Sequence, residues 1–288
     1  MEILPQLIIN SIIAGSIYAL LAMSFNLIFG TTKFFNFVHG SYAVIGGYAV
    51  FYLSKMVGLP VFWAMLIGIA TAGAAGFVFD KAISLPLRKR KSTNLVKLVA
   101  SIGLFTVIQA IVAILFTSQF QTLSNSSTTQ KIYQISSGVI TQTQVIMFLS
   151  AVMIFAGLIL ILKFTLFGKA INALSDDEEV AKIVGINTNK IISYVFLIGA
   201  AIAGWAGILV GFDTGVEPTM GLHLFLKGVI AAVVGGVGSV SGGFLGGFVL
   251  GFVENFGIWK ISSEWKDAIA FGLLIIFLLF RPSGIIKK

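Results

Sequence analysis

The sequence predicts an all-α fold, a polytopic transmembrane helical bundle of about eight or nine crossings, with the N-terminus outside and the C-terminus cytoplasmic. Composition, run length and charge placement each point there. Of the 288 residues, 57% are hydrophobic and 10% charged. A soluble domain carries about a quarter charged residues, so lipid is the expected solvent. Apolar runs of about 17 to 23 residues fill most of the chain, enough to cross a hydrocarbon core of roughly 30 Å at about 1.5 Å per residue. The Lys and Arg residues fall between those runs, mostly on one side.

Nine segments meet the length condition, at 7–29, 36–54, 61–80, 98–117, 144–162, 191–211, 222–238, 243–258 and 266–280. They leave no room for a soluble domain, so 1–288 reads as a single transmembrane domain. In the fifth, the stretch 145–162 holds twelve Val, Ile, Leu or Phe residues and no charge, which favours insertion by roughly 4 to 7 kcal/mol. The first is preceded by Glu2 and by no basic residue, so it lacks the charged region of a cleavable signal and is expected to be retained.

With the N-terminus outside, the inner side collects Lys33; Lys81, Arg88, Lys89, Arg90, Lys91 and Lys97; Lys163, Lys169, Lys182 and Lys190; and Arg281, Lys287 and Lys288. That is fourteen of nineteen basic residues. Lys55, Lys131, Lys260 and Lys266 fall outside and Lys227 within a span, an asymmetry that fixes the orientation by the positive-inside rule. The assignment requires 222–258 to cross twice; a re-entrant loop there would strand the basic tail outside. Topology also accounts for the net charge of +8 and leaves no stripe for nucleic acid. With no cysteine and two histidines there is no disulfide, no thiolate chemistry and no metal or catalytic constellation to assign.

Two polar loops stand out. The external loop 118–143 is rich in Ser, Thr and Gln, and Lys131-Ile132-Tyr133-Gln134-Ile135, Ser136-Ser137-Gly138, Val139-Ile140-Thr141-Gln142-Thr143 reads as two short strands about a glycine turn. It is either a solvated loop or an edge offered to an outside partner. Asn125-Ser126-Ser127 matches a glycosylation acceptor, a pattern too common to carry weight.

The cytoplasmic loop 163–190 encodes a short helix. Ser175 and Glu178 form a capping box, Asp176 and Asp177 suit the positive first turn, and Gly185 supplies a left-handed stop. Val180, Ile183 and Val184 make an apolar stripe too short to span and without a covering core. So short a helix needs outside contacts to persist. It either lies on the membrane or docks into another protein, and the four acids Asp176 to Glu179 oppose an anionic leaflet.

Glu179-Val180-Ala181, three residues and Gly185 resemble the E-A-A-x3-G loop with which permeases of ATP-binding-cassette importers contact their ATPases, Val180 replacing the first Ala. Asn36-Phe37-Val38-His39-Gly40, the stretch from Asp177 to Asn187, Pro218-Thr219-Met220-Gly221, Gly235-Gly236-Val237-Gly238-Ser239, Lys266-Asp267-Ala268-Ile269-Ala270-Phe271 and Arg281-Pro282-Ser283-Gly284 are similar, in order, to the high-affinity branched-chain amino-acid permeases. The resemblance implies an importer of two such membrane subunits, a heterodimer by expectation, with two cytoplasmic ATPases and an external solute-binding protein, in a prokaryotic inner membrane. It makes 163–190 the ATPase-coupling loop, comprising Ser175, Asp176, Asp177, Glu178, Glu179, Val180, Ala181, Ile183, Val184 and Gly185. No G-x-x-x-x-G-K-[ST] occurs, so ATP belongs to the partner subunits and no cofactor to this chain. Branched-chain aliphatic amino acids are the implied substrate; importers of sugars, nucleosides and urea or short amides are similar enough to stay open.

Small residues recur at helix-packing intervals: Gly238, Gly242 and Gly246; Gly243, Gly247 and Gly251; Ala203, Gly207 and Gly211. Asn36, His39, Gly40, Ala43 and Gly47 share one helical face that should look inward, as part of a gate or as interhelical hydrogen bonds. Lys227 and Glu254 sit within spans, each costing on the order of 3 kcal/mol if unpaired in lipid. A pair between them, or with the charged ends of an amino acid, would relieve that cost. Asn36, His39, Lys227 and Glu254 are thus the candidate pathway residues, and His223 reads as a surface histidine. A secondary transporter is the rival reading, but ionisable groups deep in the spans are too few to favour it.

Overall fold

A computed structural model describes residues 3–124, 131–135 and 138–286. Glu2, Asn125-Ser126-Ser127, Ser136 and Ser137, and Lys287 and Lys288 lie outside them. The described helices are α1 (Leu4–Thr32), α2 (Val38–Phe51), α3 (Val61–Phe79), α4 (Leu85–Lys89), α5 (Asn94–Phe116), α6 (Gln142–Phe164), α7 (Leu166–Asp176), α8 (Glu178–Ile183), α9 (Thr188–Asp213), α10 (Met220–Gly235), α11 (Val240–Gly257) and α12 (Lys266–Phe280). A hairpin of β1 (Ile132–Ile135) and β2 (Gly138–Thr141) precedes α6. Short π-turns follow α2 at Tyr52–Met56 and α3 at Asp80–Ser84.

Each of the nine apolar segments contains a helix, although 222–238 runs past the end of α10 into the break before α11. Among the described residues, five helices are long and apolar enough to cross a membrane: α1, α3 continued through α4, α5, α6 and α9. A sixth is reached if α10 and α11, bent by 111° at their break, are one broken span. The chain is a polytopic helical membrane protein. Length alone licenses fewer crossings than the hydropathy runs because the runs conceal where helices stop. With 15 residues, α12 extends only about 23 Å, and α2 runs on through its π-turn to Met56, where polar residues dilute its apolar character.

Two compact units share the chain. The first comprises Met1–Asn26, Asn125–Ile159 and Leu226–Lys288. Here α11 lays Gly243, Gly247 and Gly251 against Ala22, Ala19 and Gly15 of α1, and turns Gly242 and Gly246 toward Gly235 and Ala231 of α10. Two of the small-residue lines are therefore helix-packing seams, made where lipid offers no hydrophobic drive and close backbone approach is what favours association. Asn26 clamps the break between α10 and α11. Its Nδ2 donates to the Gly236 and Ser239 carbonyls at 3.1 and 2.7 Å, and its Oδ1 accepts from Gly238 N at 2.9 Å. Ser239 caps α11, its Oγ accepting from Gly242 N at 3.1 Å. The chain after α12 returns to the break, Ile285 N and Ile286 N donating to the Val234 and Gly235 carbonyls. In the antiparallel hairpin Ile132 faces Thr141, and Val139 N donates to Gln6 Oε1 at 2.8 Å.

The second unit comprises Leu27–Ser124 and Leu160–Phe225. In it α2, α3 and α9 pack on one another. A methyl group on Gly207 would strike the Ala43 backbone, so the α2–α9 approach depends on that position lacking a side chain. Val44, Tyr48, Ile208, Val216 and Met220 fill the core beside this contact. Gln121 and Val216 exchange backbone hydrogen bonds of 2.9 and 2.7 Å.

Candidate functional site

The loop after α6 folds into two short helices. Thr165 starts α7, its Oγ1 accepting from Gly168 N at 3.0 Å, and Ile171, Leu174 and Ser175 are buried. The cap of α8 is Asp177, not Ser175. Its Oδ1 accepts from Glu179 N at 2.8 Å and Val180 N at 3.1 Å, whereas Ser175 and Asp176 complete α7. A carboxylate leaving α7 in an extended conformation reaches two of the orphan N–H groups that a serine two residues earlier, still helical, does not. Glu178 pairs instead with Lys182 at 2.7 Å.

The end of α8 follows the expectation. Gly185 has φ +86°, Gly185 N donates to the Lys182 carbonyl and Ile186 N to the Ala181 carbonyl. This double closure satisfies the last carbonyls of the helix and favours glycine at the left-handed position. Asn187 then caps α9 through Lys190 N at 3.1 Å. Ala181 is buried, whereas Val180, Ile183 and Val184 are 55, 83 and 67% exposed. Glu179, the three apolar side chains and Gly185 thus form one short surface with a firmly built backbone.

In the first unit Lys227 and Glu254 are in contact. Glu254 is wholly buried; its Oε1 pairs with Lys227, and its Oε2 accepts from Tyr18 OH at 2.7 Å, with Lys266 at 3.8 Å. Lys227 also pairs with Asp267 at 2.8 Å. Pairing removes the charge cost anticipated for either residue alone. In the second unit Asn36 and His39 are buried at the start of α2. Asn36 Oδ1 accepts from Val38 N at 3.1 Å. His39 meets Tyr42 edge-on at 5.9 Å. Gly40 and Gly47 on the same face pack against Gly221 and Val216, so that face looks inward. His223 is exposed.

A family described as the branched-chain amino acid transport system permease component matches residues 7–278. The chain belongs to this family. It is 34% identical to the high-affinity branched-chain amino acid transport system permease protein BraD of Pseudomonas aeruginosa, covering 98% of this chain and 95% of that protein. Identity to the corresponding protein LivH of Escherichia coli K12 is 32%, with the same coverage. The ribose import permease protein RbsC of Haemophilus influenzae is 27% identical over 82% of this chain and 68% of its own. Among solved structures, PsaBC from Streptococcus pneumoniae in complex with Fab shares the fold at a TM-score of 0.51 and 15% identity, covering 98% of this chain and 93% of that one.

This permease holds two polar clusters that its sequence did not single out. Asp80, in the π-turn after α3 and wholly buried, accepts from Arg88 Nη2 at 2.9 Å and from Ser193 Oγ at 2.6 Å. An acid at the end of a span, eight residues before an Arg, was the available signal. Asn26 was the other, a carboxamide deep in an apolar permease helix where polar groups bridge helices.

Proposed function

We propose that this chain is the membrane-spanning permease subunit of an ATP-binding-cassette importer for branched-chain aliphatic amino acids. The observation that carries the reading is the α8 surface. A capped, glycine-terminated helix of six residues exposes Val180, Ile183 and Val184. Such exposure is costly unless a partner covers it. ATPase subunits, two per importer, are that partner, reached through the coupling residues Ser175 to Gly185. Family membership and the relatives' substrates support the amino-acid assignment, and the ribose relative keeps sugars as the alternative.

In this reading the N-terminus is external, the loop 163–190 and the C-terminus are cytoplasmic, and the shorter apolar helices bring the crossings to eight or nine in a prokaryotic inner membrane. The permease pairs with a second, homologous subunit and receives solute from an external binding protein. Asn36 and His39, and separately Lys227 and Glu254, are its pathway residues. Changing Glu179→Ala together with Gly185→Ala should leave membrane insertion intact and abolish uptake while the ATPases still turn over. Normal transport by that double variant would refute the docking role, and uptake by the lone chain on a proton gradient would make it a secondary transporter.

A further inference from the structure

Within the second unit, the end of α3 with its continuation and the start of α9 enclose an open cleft of about 490 Å³. Lys81, Lys89 and Lys190 line it, and no acidic side chain does. Asp80, behind it, is wholly buried and is engaged by Arg88 and Ser193, so it does little to cancel the three ammonium groups. One wall is apolar, from Phe77 and Leu85.

The alignment of this wall has a physical cause. Phe77, Lys81, Leu85 and Lys89 recur every four residues, and in a straight α-helix such a line drifts by roughly 40° per step. The π-turn at Asp80–Ser84 widens the helix and offsets part of that drift, bringing both lysines into one cleft. Opposite them is the first turn of α9, whose dipole also favours negative charge. Both helices are long and apolar enough to cross a membrane, and the cleft lies where one ends and the other begins.

We propose that this cleft binds a phosphate-bearing anion, the headgroup of an anionic phospholipid in the adjoining leaflet, with free phosphate the other source of the same chemistry. Three cations around an acid-free cavity suit a phosphate, and the Phe77 and Leu85 wall suits the start of an acyl chain. The site shares Asn187, Asn189 and Lys190 with the loop 163–190 but none of the α8 surface from Glu179 to Gly185 and none of the pathway residues, and it stands whichever face of the membrane the cleft occupies.

The test uses the full chain purified in neutral detergent and titrated with phosphatidylglycerol, phosphatidylcholine or inorganic phosphate, with bound lipid counted by native mass spectrometry and unfolding followed thermally. Phosphatidylglycerol should bind saturably and phosphatidylcholine should not. Affinity should fall roughly fivefold for each of Lys81→Gln, Lys89→Gln and Lys190→Gln, and on the order of 100-fold for all three. Lys190→Arg should retain binding, and Lys55→Gln and Lys260→Gln should not change it. Saturable protection by inorganic phosphate that weakens in the same three variants would support the site and name free phosphate as its source. Phosphatidylglycerol affinity that is unchanged by the three substitutions, or that falls equally in the two control variants, overturns the proposal.

Discussion

Asn26 donates its Nδ2 hydrogen to the Ser239 carbonyl at 2.7 Å, so a side chain of α1 completes the backbone of the α10–α11 break. In lipid such a break is tolerated only where its freed N–H and C=O groups find partners. With its bonds to Gly236 and Gly238, this one carboxamide serves three of them.

Asn26→Leu should therefore lower stability by about 2 to 3 kcal/mol, because it leaves buried backbone groups without partners. Asn26→Asp keeps the acceptor for Gly238 N but turns an oxygen toward the two carbonyls in a buried site, and should be at least as damaging as Leu. Thermal unfolding in detergent measures both, and equal midpoints for all three proteins would sink the assignment.

The Lys227–Glu254 pair should behave as a coupled unit. Removing either partner alone, by Lys227→Met or Glu254→Leu, breaks the closest contact of the cluster and should cost about 1 to 3 kcal/mol, because Asp267 still faces Lys227, and Tyr18 and Lys266 still face Glu254. The double variant should be far less damaged than the sum. A double-mutant cycle on unfolding free energy gives the coupling, and additivity would mean that the contact contributes nothing. Because Tyr18 and Asp267 share the cluster, uptake should fall in the single variants even where folding survives.

Asp80→Ala should be as disruptive, because Arg88 is nine-tenths buried and would lose its carboxylate. Adding Arg88→Leu should recover part of the loss. Ser193→Ala removes one hydrogen bond to Asp80 and should cost only about 1 kcal/mol.

Ile183→Asp and Val184→Asp alter exposed side chains and should change stability by no more than about 0.5 kcal/mol. Yet they should reduce co-purification of ATPase subunits and uptake. Retained co-purification with normal uptake would remove α8 from the docking surface.

With no native cysteine, a single introduced one reports sidedness cleanly. In intact cells an impermeant maleimide should label Lys131→Cys and spare Glu179→Cys until the membrane is opened. Labelling of Glu179→Cys in sealed cells would reverse the orientation.

What was legible in the sequence was set by local chemistry. Apolar runs located the long described helices, and the pattern at 131–143 gave two strands, although Gly138 opens β2 and Gln142 and Thr143 belong to α6. The stop at Gly185 and the apolar stripe from Val180 to Val184 stood where expected, because helix termination is decided within a few residues. The start of α8 was misread because Ser175 and Asp177 are both good caps, and the choice depends on where α7 ends, which is fixed by burial of Ile171 and Leu174. Asp80 with Ser193 is separated by over a hundred residues, and Asn26 with Ser239 by more than two hundred. No local pattern encodes such pairings. The closeness of Lys227 and Glu254 was readable because unpaired charges in lipid call for each other.

Only four residues separate α8 from α9, and Val184, Gly185 and Ile186 each donate a backbone hydrogen bond into α8, while Asn187 is tied to α9 by its own side chain. Such a joint has little slack. A displacement of the apolar tip would therefore reach the base of a 26-residue helix through a short crank of hydrogen-bonded backbone, where a longer, glycine-rich link would absorb it.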